Sequence, residues 1–148
     1  AKEIQDAAYL SGLLHNIGLL VLAHSFPSET QKALELKQED PERSLPALER
    51  ELLGFDHYVA GRMLLTEWQL PTAIICVTAH CGEMGYHGDF EELVNLVQYC
   101  MHWVKADYSL EATPDIKQAS IDKPSFERIA KNCLREQEQF YAFAELLG

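Results

Sequence analysis

Three histidines stand at comparable places in predicted helices and could together bind a metal ion. His15 lies in a strongly apolar run, His57 in the first turn of a helix after a glycine, and His80 at a helix end beside a glycine-rich loop. Helices that converge on a core can bring such imidazoles together, and three neutral imidazoles form a ligand set that Zn²⁺ accepts. No two of them have the i, i+4 spacing of a metalloprotease motif. The spacing therefore leaves two interpretations open: a metal site, or histidines satisfied by hydrogen bonds.

The run that contains His15 is the most apolar part of the chain. Nearly every residue from Leu13 to Ala23 is apolar, and only His15 and Asn16 place polar side chains there. We expect such a segment to be buried all round. Burying an imidazole or a carboxamide without partners costs roughly 2–7 kcal/mol, so we expect the fold to bring polar groups to both. The run is about half as long as a bilayer span, so we expect no membrane segment.

Helical periodicity recurs along the chain between polar loops, which predicts an all-α fold of about six to seven helices. No segment alternates with the period of a strand. The predicted helices run from about Lys2 to His24, from Pro27, from Leu45 to Leu53 with Ser44 as N-cap, from His57 to Trp68 with Asp56 as N-cap, from Thr72 to His80, from Asp89 to about Tyr108, and from Phe126 to Leu147.

Two parts of unequal character follow from this pattern. Residues 1–110 are predicted to form a helical core, and residues 111–148 a polar connector with an amphipathic C-terminal helix. That last helix could pack on the core or pair with a second chain to give a homodimer. Because the chain lacks an initiator Met and starts almost inside a helix, we expect it to be a piece of a longer protein.

Composition excludes several classes of partner. The chain of 148 residues carries a formal net charge of −11, and its Lys and Arg residues form no cluster. An acidic surface repels polyanions, so we expect neither nucleic acid nor anionic membrane as a partner. We also expect a cytoplasmic protein, because there is no signal peptide and the cysteines show no C-x-x-C spacing. The four cysteines are Cys76, Cys81, Cys100 and Cys133.

Two longer stretches carry a family resemblance. AAYLSGLLHNIGLLVL begins at Ala7, and ERELLGFDHYVAGRMLLTEWQLPTAIICVTAHC begins at Glu49. With the segment to Tyr108, they resemble the HDOD domain, the HD-related output domain of bacterial signalling proteins. The resemblance implies an HD-domain-like helical bundle. It also implies a relative of the HD phosphohydrolases, whose histidines and aspartates hold divalent metals, and a further helical half ahead of the one seen in this chain.

The sequence departs from that family chemistry at two positions. The resemblance places an aspartate after the first histidine, where this chain has Asn16, and a closing aspartate where it has Gln98. A hard cation needs anionic oxygen, so two amides in place of two carboxylates weaken a metal site for hydrolysis. The resemblance thus implies a relic pocket of His15, Asn16, His57, His80 and Gln98. We expect no cofactor, although Zn²⁺ at the three histidines stays open.

The resulting hypothesis is a non-catalytic regulatory module that binds other signalling proteins or domains, or a small ligand. The alternative is a metal-dependent phosphohydrolase of the HD or HD-GYP type, acting on a nucleotide or cyclic dinucleotide. The retained histidines and the pair Gly85-Tyr86 in the glycine loop favour the alternative. Asn16, Gln98 and the acidic surface count against it, and we do not expect hydrolysis.

Overall fold

The computed structural model describes residues 2–105 and 123–147, and these ranges are entirely helical apart from turns and loops. This confirms the predicted all-α class. The helices are α1 (Lys2–Leu14), α2 (Ile17–Ser25), α3 (Pro27–Glu39), α4 (Leu45–Leu53), α5 (His57–Glu67), α6 (Thr72–His80), α7 (Glu91–Lys105) and α8 (Lys123–Leu147). The described ranges hold one helix more than expected because the first predicted helix is divided in two. The predicted polar connector lies largely outside these ranges.

The chain divides into two compact units, Ala1–Val97 and Gln98–Gly148. The boundary falls inside α7, before the division that the sequence suggested near residue 110. The first unit contains α1 to α6 and every candidate site residue except Gln98. In the second unit, α8 begins close to where the amphipathic pattern predicted a helix.

The turn between α1 and α2 corrects the prediction of one continuous helix from Lys2 to His24. The His15 ring uses Nδ1 to bond the Gly12 carbonyl oxygen at 2.7 Å. In an uninterrupted helix that carbonyl would accept the N–H of Asn16. Asn16 instead adopts φ −106° and ψ 13°, and its own carbonyl accepts the N–H of Leu19 at 3.0 Å. Side-chain competition for a backbone acceptor therefore ends α1, and α2 starts afresh.

The core of the first unit forms where α2 crosses α5. A Cβ added to Gly18 would lie 1.7 Å from the carbonyl oxygen of His57, so the two helix backbones touch. A Cβ on Gly61 would lie 3.2 Å from the Gly18 nitrogen and 2.8 Å from Cγ2 of Thr78, which brings α6 to the same crossing. The fully buried apolar side chains around this frame include Leu22, Leu48, Leu65 and Val77.

The outer side of α1 and α2 corrects the expectation that the apolar run is buried all round. Leu13 and Leu20 are 65% and 67% exposed, whereas Gly18 and Leu22 are buried. Within the described residues, Gln5–Ser25 is the helical stretch that is long and apolar enough, by length and composition, to cross a membrane. This stretch is longer than Leu13–Ala23, the apolar run from which no membrane segment was expected. Core helices of soluble proteins satisfy the same two criteria, so they do not establish a membrane span.

The N-caps predicted at Ser44 and Asp56 are confirmed, whereas α7 begins at Glu91, two residues after its predicted start at Asp89. The Ser44 hydroxyl accepts the N–H of Ala47 at 3.3 Å at the start of α4. Asp56 Oδ1 accepts the N–H of Val59 at 3.0 Å at the start of α5. The Asp56 cap fixes the first turn of α5 and with it the position of the neighbouring His57.

Candidate functional site

A buried pair of Glu49 and His57 lies at the centre of the candidate site. Glu49 Oε2 lies 2.6 Å from Nδ1 of His57 and accepts its backbone N–H at 2.9 Å. The two side chains are only 1% and 5% exposed. One carboxylate oxygen therefore holds both the backbone and the ring of His57. Buried carboxylates are rarely found without such partners.

Glu49 was missed by the sequence reasoning, although a signal was present. Helix α4 places Leu45, Leu48 and Leu52 on one apolar face, and Glu49 occupies the same face at helical spacing. A carboxylate there must be buried, and it needs a donor from another segment. The first residue after α4 whose side chain can donate a hydrogen bond is His57, which the sequence had already indicated as a site residue.

The Glu49 contact determines which ring nitrogen of His57 is available for chemistry. A carboxylate oxygen accepts a hydrogen bond, so in the neutral form of the His57 imidazole Nδ1 carries the proton and Nε2 keeps its lone pair. Histidines that bind metals are oriented by a carboxylate or carbonyl in this way. The arrangement therefore suits His57 to act as an acceptor or ligand through Nε2.

His15 lies half-buried in the turn between α1 and α2, and Asn16 beside it is exposed. The His15 ring contacts the Gly12 carbonyl oxygen through Nδ1. In the neutral ring, Nε2 is therefore the nitrogen with the lone pair, as in His57. Cys81 Sγ lies 4.0 Å from the carbonyl oxygen of His15. The His57 carbonyl lies against Gly18 at the other end of the turn. The start of α5 and the end of α6 thus flank this turn, and the three predicted segments do converge.

His80 lies at the end of α6 and is tied to the loop that follows. Its Nδ1 lies 2.9 Å from Glu83 Oε1, and its ring stacks on Tyr86 with centroids 4.5 Å apart. The Tyr86 hydroxyl lies 3.5 Å from Cys76 Sγ, and this hydrogen bond is the main reason why the pKa of Tyr86 rises to about 12, followed by burial.

The segments that carry His15, His57 and His80 lie close together, but this does not bring their side chains into a group that could bind a metal. In the part of the chain that the structure describes, no three His, Cys, Asp or Glu side chains are grouped so that they could hold a metal ion. The binding of Zn²⁺ by His15, His57 and His80 stays a prediction for measurement. Gln98 is half-buried on α7 in the second unit. Its membership of the pocket also stays a prediction.

A cavity of about 310 Å³ lies where the starts of α4 and α5 meet the end of α6. Arg50 forms an ion pair with the nearly buried Asp56 at its wall. The Tyr58 ring lies against Gly82, where an added Cβ would come within 2.3 Å of Cε2. Burial raises the pKa of Tyr58 to about 12, with smaller contributions from the charges of Cys81, Asp56 and Glu49. The phenol is therefore a neutral donor at physiological pH.

The geometry above defines an all-helical domain with histidines at the ends of converging segments. The HDOD domain matches residues 1–83, more than half of the chain, and the chain therefore belongs to the HDOD domain family. This confirms the resemblance found in the sequence motifs.

One solved structure extends the comparison to nearly the whole chain. A crystal structure of a protein from Marinobacter aquaeolei VT8, described as belonging to signal transduction, matches with a TM-score of 0.76 at 20% identity. The match covers 94% of this chain and 32% of that one, so the present chain spans about a third of that protein's length. At this identity the similarity shows a shared fold. Among curated proteins, none matches the chain.

Proposed function

We propose that this chain is a non-catalytic signal-transduction module that acts by binding a protein or a small ligand. Its membership of the HDOD family and the fold shared with a signal-transduction protein support a signalling role. Other signalling proteins or domains are the proposed partners. The acidic surface makes nucleic acid a poor partner on electrostatic grounds.

The proposal that the chain is non-catalytic rests on the contacts that its buried carboxylates make within the protein. Glu49 and Asp56 are the buried acidic residues of the described ranges. Glu49 Oε2 is occupied by two donors of His57, and Asp56 caps α5 and pairs with Arg50. Both groups therefore hold the protein's own structure through these atoms, while Glu49 Oε1 is buried without a hydrogen-bond partner among the described residues. Beside His15, the HD-type carboxylate is replaced by the neutral amide of Asn16, which binds a hard cation poorly.

The cavity beside Arg50 and Tyr58 supports the binding part of the proposal. Its volume lies at the lower end of the range for small-molecule sites. The half-buried phenol of Tyr58 and the guanidinium of Arg50 offer donors, and Pro46, Val59 and Ala79 offer apolar contact.

Metal analysis with an activity assay tests the proposal directly. The purified chain should contain less than stoichiometric metal after incubation with Zn²⁺ or Mn²⁺ and dialysis. It should not hydrolyse a cyclic dinucleotide or a generic phosphodiester in Mn²⁺. Stoichiometric metal together with turnover that is lost in His57→Ala would instead establish the phosphohydrolase.

That second function is favoured by one observation. Each of His15, His57 and His80 has Nδ1 against an oxygen acceptor, which is the orientation that metal-binding histidines use. The variant Glu49→Gln separates the two functions further. A positioning role toward a metal would lower metal affinity in this variant, whereas a purely structural role would change only its stability.

A further inference from the structure

The cavity between the starts of α4 and α5 and the end of α6 has a wall of mixed chemistry. Sites for small molecules combine apolar contact with a few polar groups that fix the orientation of the ligand. The polar groups of a site therefore indicate which class of ligand it takes. Here the apolar contacts are Pro46, Val59 and Ala79, and the polar side chains are Ser44, Arg50, Asp56, Tyr58 and Glu83.

The wall offers hydrogen-bond donors that suit a carboxylate. Arg50 is 54% exposed and bonds Asp56 through Nη1, and a guanidinium has five N–H donors. The donors that remain can hold both oxygens of a ligand carboxylate in the geometry that guanidinium groups favour. The Tyr58 hydroxyl takes part in no hydrogen bond within the described residues, and a phenol is an uncharged donor at neutral pH. Arg50 and Tyr58 can therefore hold an acceptor group that a ligand supplies.

The charges of the wall disfavour a simple anion. Arg50 and Asp56 neutralise each other, so the charge that remains on the wall is the carboxylate of Glu83. The chain as a whole has a net charge of −11, which also opposes a ligand of net negative charge. Carboxylates accept from several donors at once, so Glu83, which bonds His80, can also receive an ammonium group. A simple cation is disfavoured as well, because it would face the Arg50 guanidinium and leave its donors unused.

We propose that this cavity binds a small zwitterion with an apolar body, which is the chemistry of a free α-amino acid with an apolar side chain. The ligand carboxylate accepts from Arg50 and Tyr58, the ammonium group donates to Glu83, and the apolar body contacts Val59 and Ala79. A zwitterion meets both signs of charge and adds no net charge to an acidic chain. The volume of about 310 Å³ limits the ligand to a small molecule. The inference rests on the proposed binding function and names its ligand class.

Gly82 leaves room for the Tyr58 ring on the cavity wall. A Cβ added at Gly82 would lie 2.3 Å from Cε2 of Tyr58 and 2.6 Å from its hydroxyl oxygen. Gly82→Ala therefore displaces the phenol from the place where it meets the ligand. The bare backbone at Gly82 thus positions the Tyr58 donor.

Isothermal titration calorimetry of the 148-residue chain at neutral pH tests the proposal. The probes are L-alanine, L-leucine and L-phenylalanine, which differ in the size of the apolar body. At least one of them should bind with a dissociation constant of about 1 mM or below. Two analogues of the amino acid that binds separate its charged groups, namely the acid without the amino group and the amine without the carboxylate. Each analogue should bind at least about tenfold more weakly, because each loses one charge-assisted contact.

Variants assign the contacts. Tyr58→Phe should weaken binding of the amino acid about tenfold and leave the free energy of unfolding at neutral pH unchanged, since the hydroxyl bonds nothing within the described residues. Gly82→Ala should weaken binding through the displaced phenol. Glu83→Gln should weaken the amino acid about tenfold but not the acid analogue, which lacks the ammonium group. Tyr9→Phe is the matched control and should change neither quantity, because Tyr9 is 73% exposed on α1 outside the cavity wall.

Three outcomes would overturn the proposal: no binding of any of the three amino acids, equal affinity for either analogue, or equal effects of Tyr58→Phe and Tyr9→Phe. These outcomes concern the ligand class alone and leave the non-catalytic function in place. Stoichiometric metal with turnover in the metal analysis and activity assay would overturn that function, whatever the calorimetry shows.

Discussion

Glu49 Oε2 lies 2.6 Å from Nδ1 of His57 and 2.9 Å from its backbone nitrogen, and both side chains are almost completely buried. This carboxylate ties helix α4 to the first turn of α5. The carbonyl of the same His57 meets Gly18 on α2. His57 is thus the residue through which α2, α4 and α5 are held together, and the site chemistry and the core share the same contacts.

Glu49→Gln should destabilise the protein by about 1–3 kcal/mol, because the amide keeps the size of the side chain but replaces charge-assisted bonds with neutral ones. Glu49→Ala should cost about 3–5 kcal/mol, since it leaves the buried His57 donors without their acceptor. Urea unfolding measures both changes.

Glu51→Gln is the control for this pair of variants. Glu51 is on the same helix, 60% exposed and paired with Arg43. Its substitution should change the free energy of unfolding by no more than about 0.5 kcal/mol. If Glu51→Gln and Glu49→Gln lower the free energy of unfolding by similar amounts, the buried pair stabilises the protein no more than an exposed ion pair does.

Gly18→Ala should be severely destabilising, by about 4 kcal/mol or more, or should prevent folding. The new Cβ would need the space that the His57 carbonyl oxygen occupies at 1.7 Å, and backbone atoms cannot move away cheaply. Gly12→Ala is the matched control on α1, where a Cβ meets nothing within 4 Å. It should stabilise the protein by about 0.5–1 kcal/mol through helix propensity. Thermal and urea unfolding of the two variants should therefore move in opposite directions.

The sequence predicted those features of the fold that depend on nearby residues. Ser44 and Asp56 were recognisable as caps because an N-cap is determined by its own side chain and the two or three residues after it. The all-α class followed from periodicity. The start and end of α4 were also anticipated.

The remaining features depend on contacts between distant residues or on side-chain geometry. Periodicity gave no sign that the His15 ring would take the Gly12 carbonyl and divide the first helix. Glu49 was overlooked because a helical glutamate is usually on the surface, and its burial makes sense only with His57 opposite. Apolar composition alone also could not show that Leu13 and Leu20 face solvent while Leu22 faces the core.

Asp56 has two separable roles, which two substitutions should distinguish. Asp56→Ala removes the bond to the Val59 N–H and the ion pair with Arg50, and should cost about 1–2 kcal/mol. Asp56→Asn keeps an oxygen for the cap and loses the ion pair, so it should cost less than the alanine variant. Ser44→Ala removes the N-cap hydrogen bond of α4, which is longer, at 3.3 Å, than the N-cap bond of Asp56. This variant should therefore cost about 0.5–1 kcal/mol. If the asparagine and alanine variants of Asp56 are equally unstable, the ion pair and not the cap is the stabilising contact.

Alkaline titration should reveal the half-buried phenol of Tyr58. Burial raises the pKa of Tyr58 from 10.0 to about 12 in the folded chain. Below about pH 10 the phenol is protonated in both states and does not affect the pH dependence of stability. Between about pH 10 and pH 12 the unfolded chain releases this proton while the folded chain retains it, so stability should fall as the pH rises.

Tyr58→Phe should make the free energy of unfolding less dependent on pH within this window and should leave the dependence below it unchanged. In a titration of the folded protein followed by phenolate absorbance, Tyr58→Phe should remove one phenol that ionises near pH 12. Tyr86→Phe must be measured alongside, because the pKa of Tyr86 also rises to about 12 through its hydrogen bond to Cys76. If Tyr86→Phe removes the only late-titrating phenol and Tyr58→Phe removes none, then Tyr58 is solvated. In that case the wall of the cavity beside Gly82 is more open than the contact of the Tyr58 ring implies.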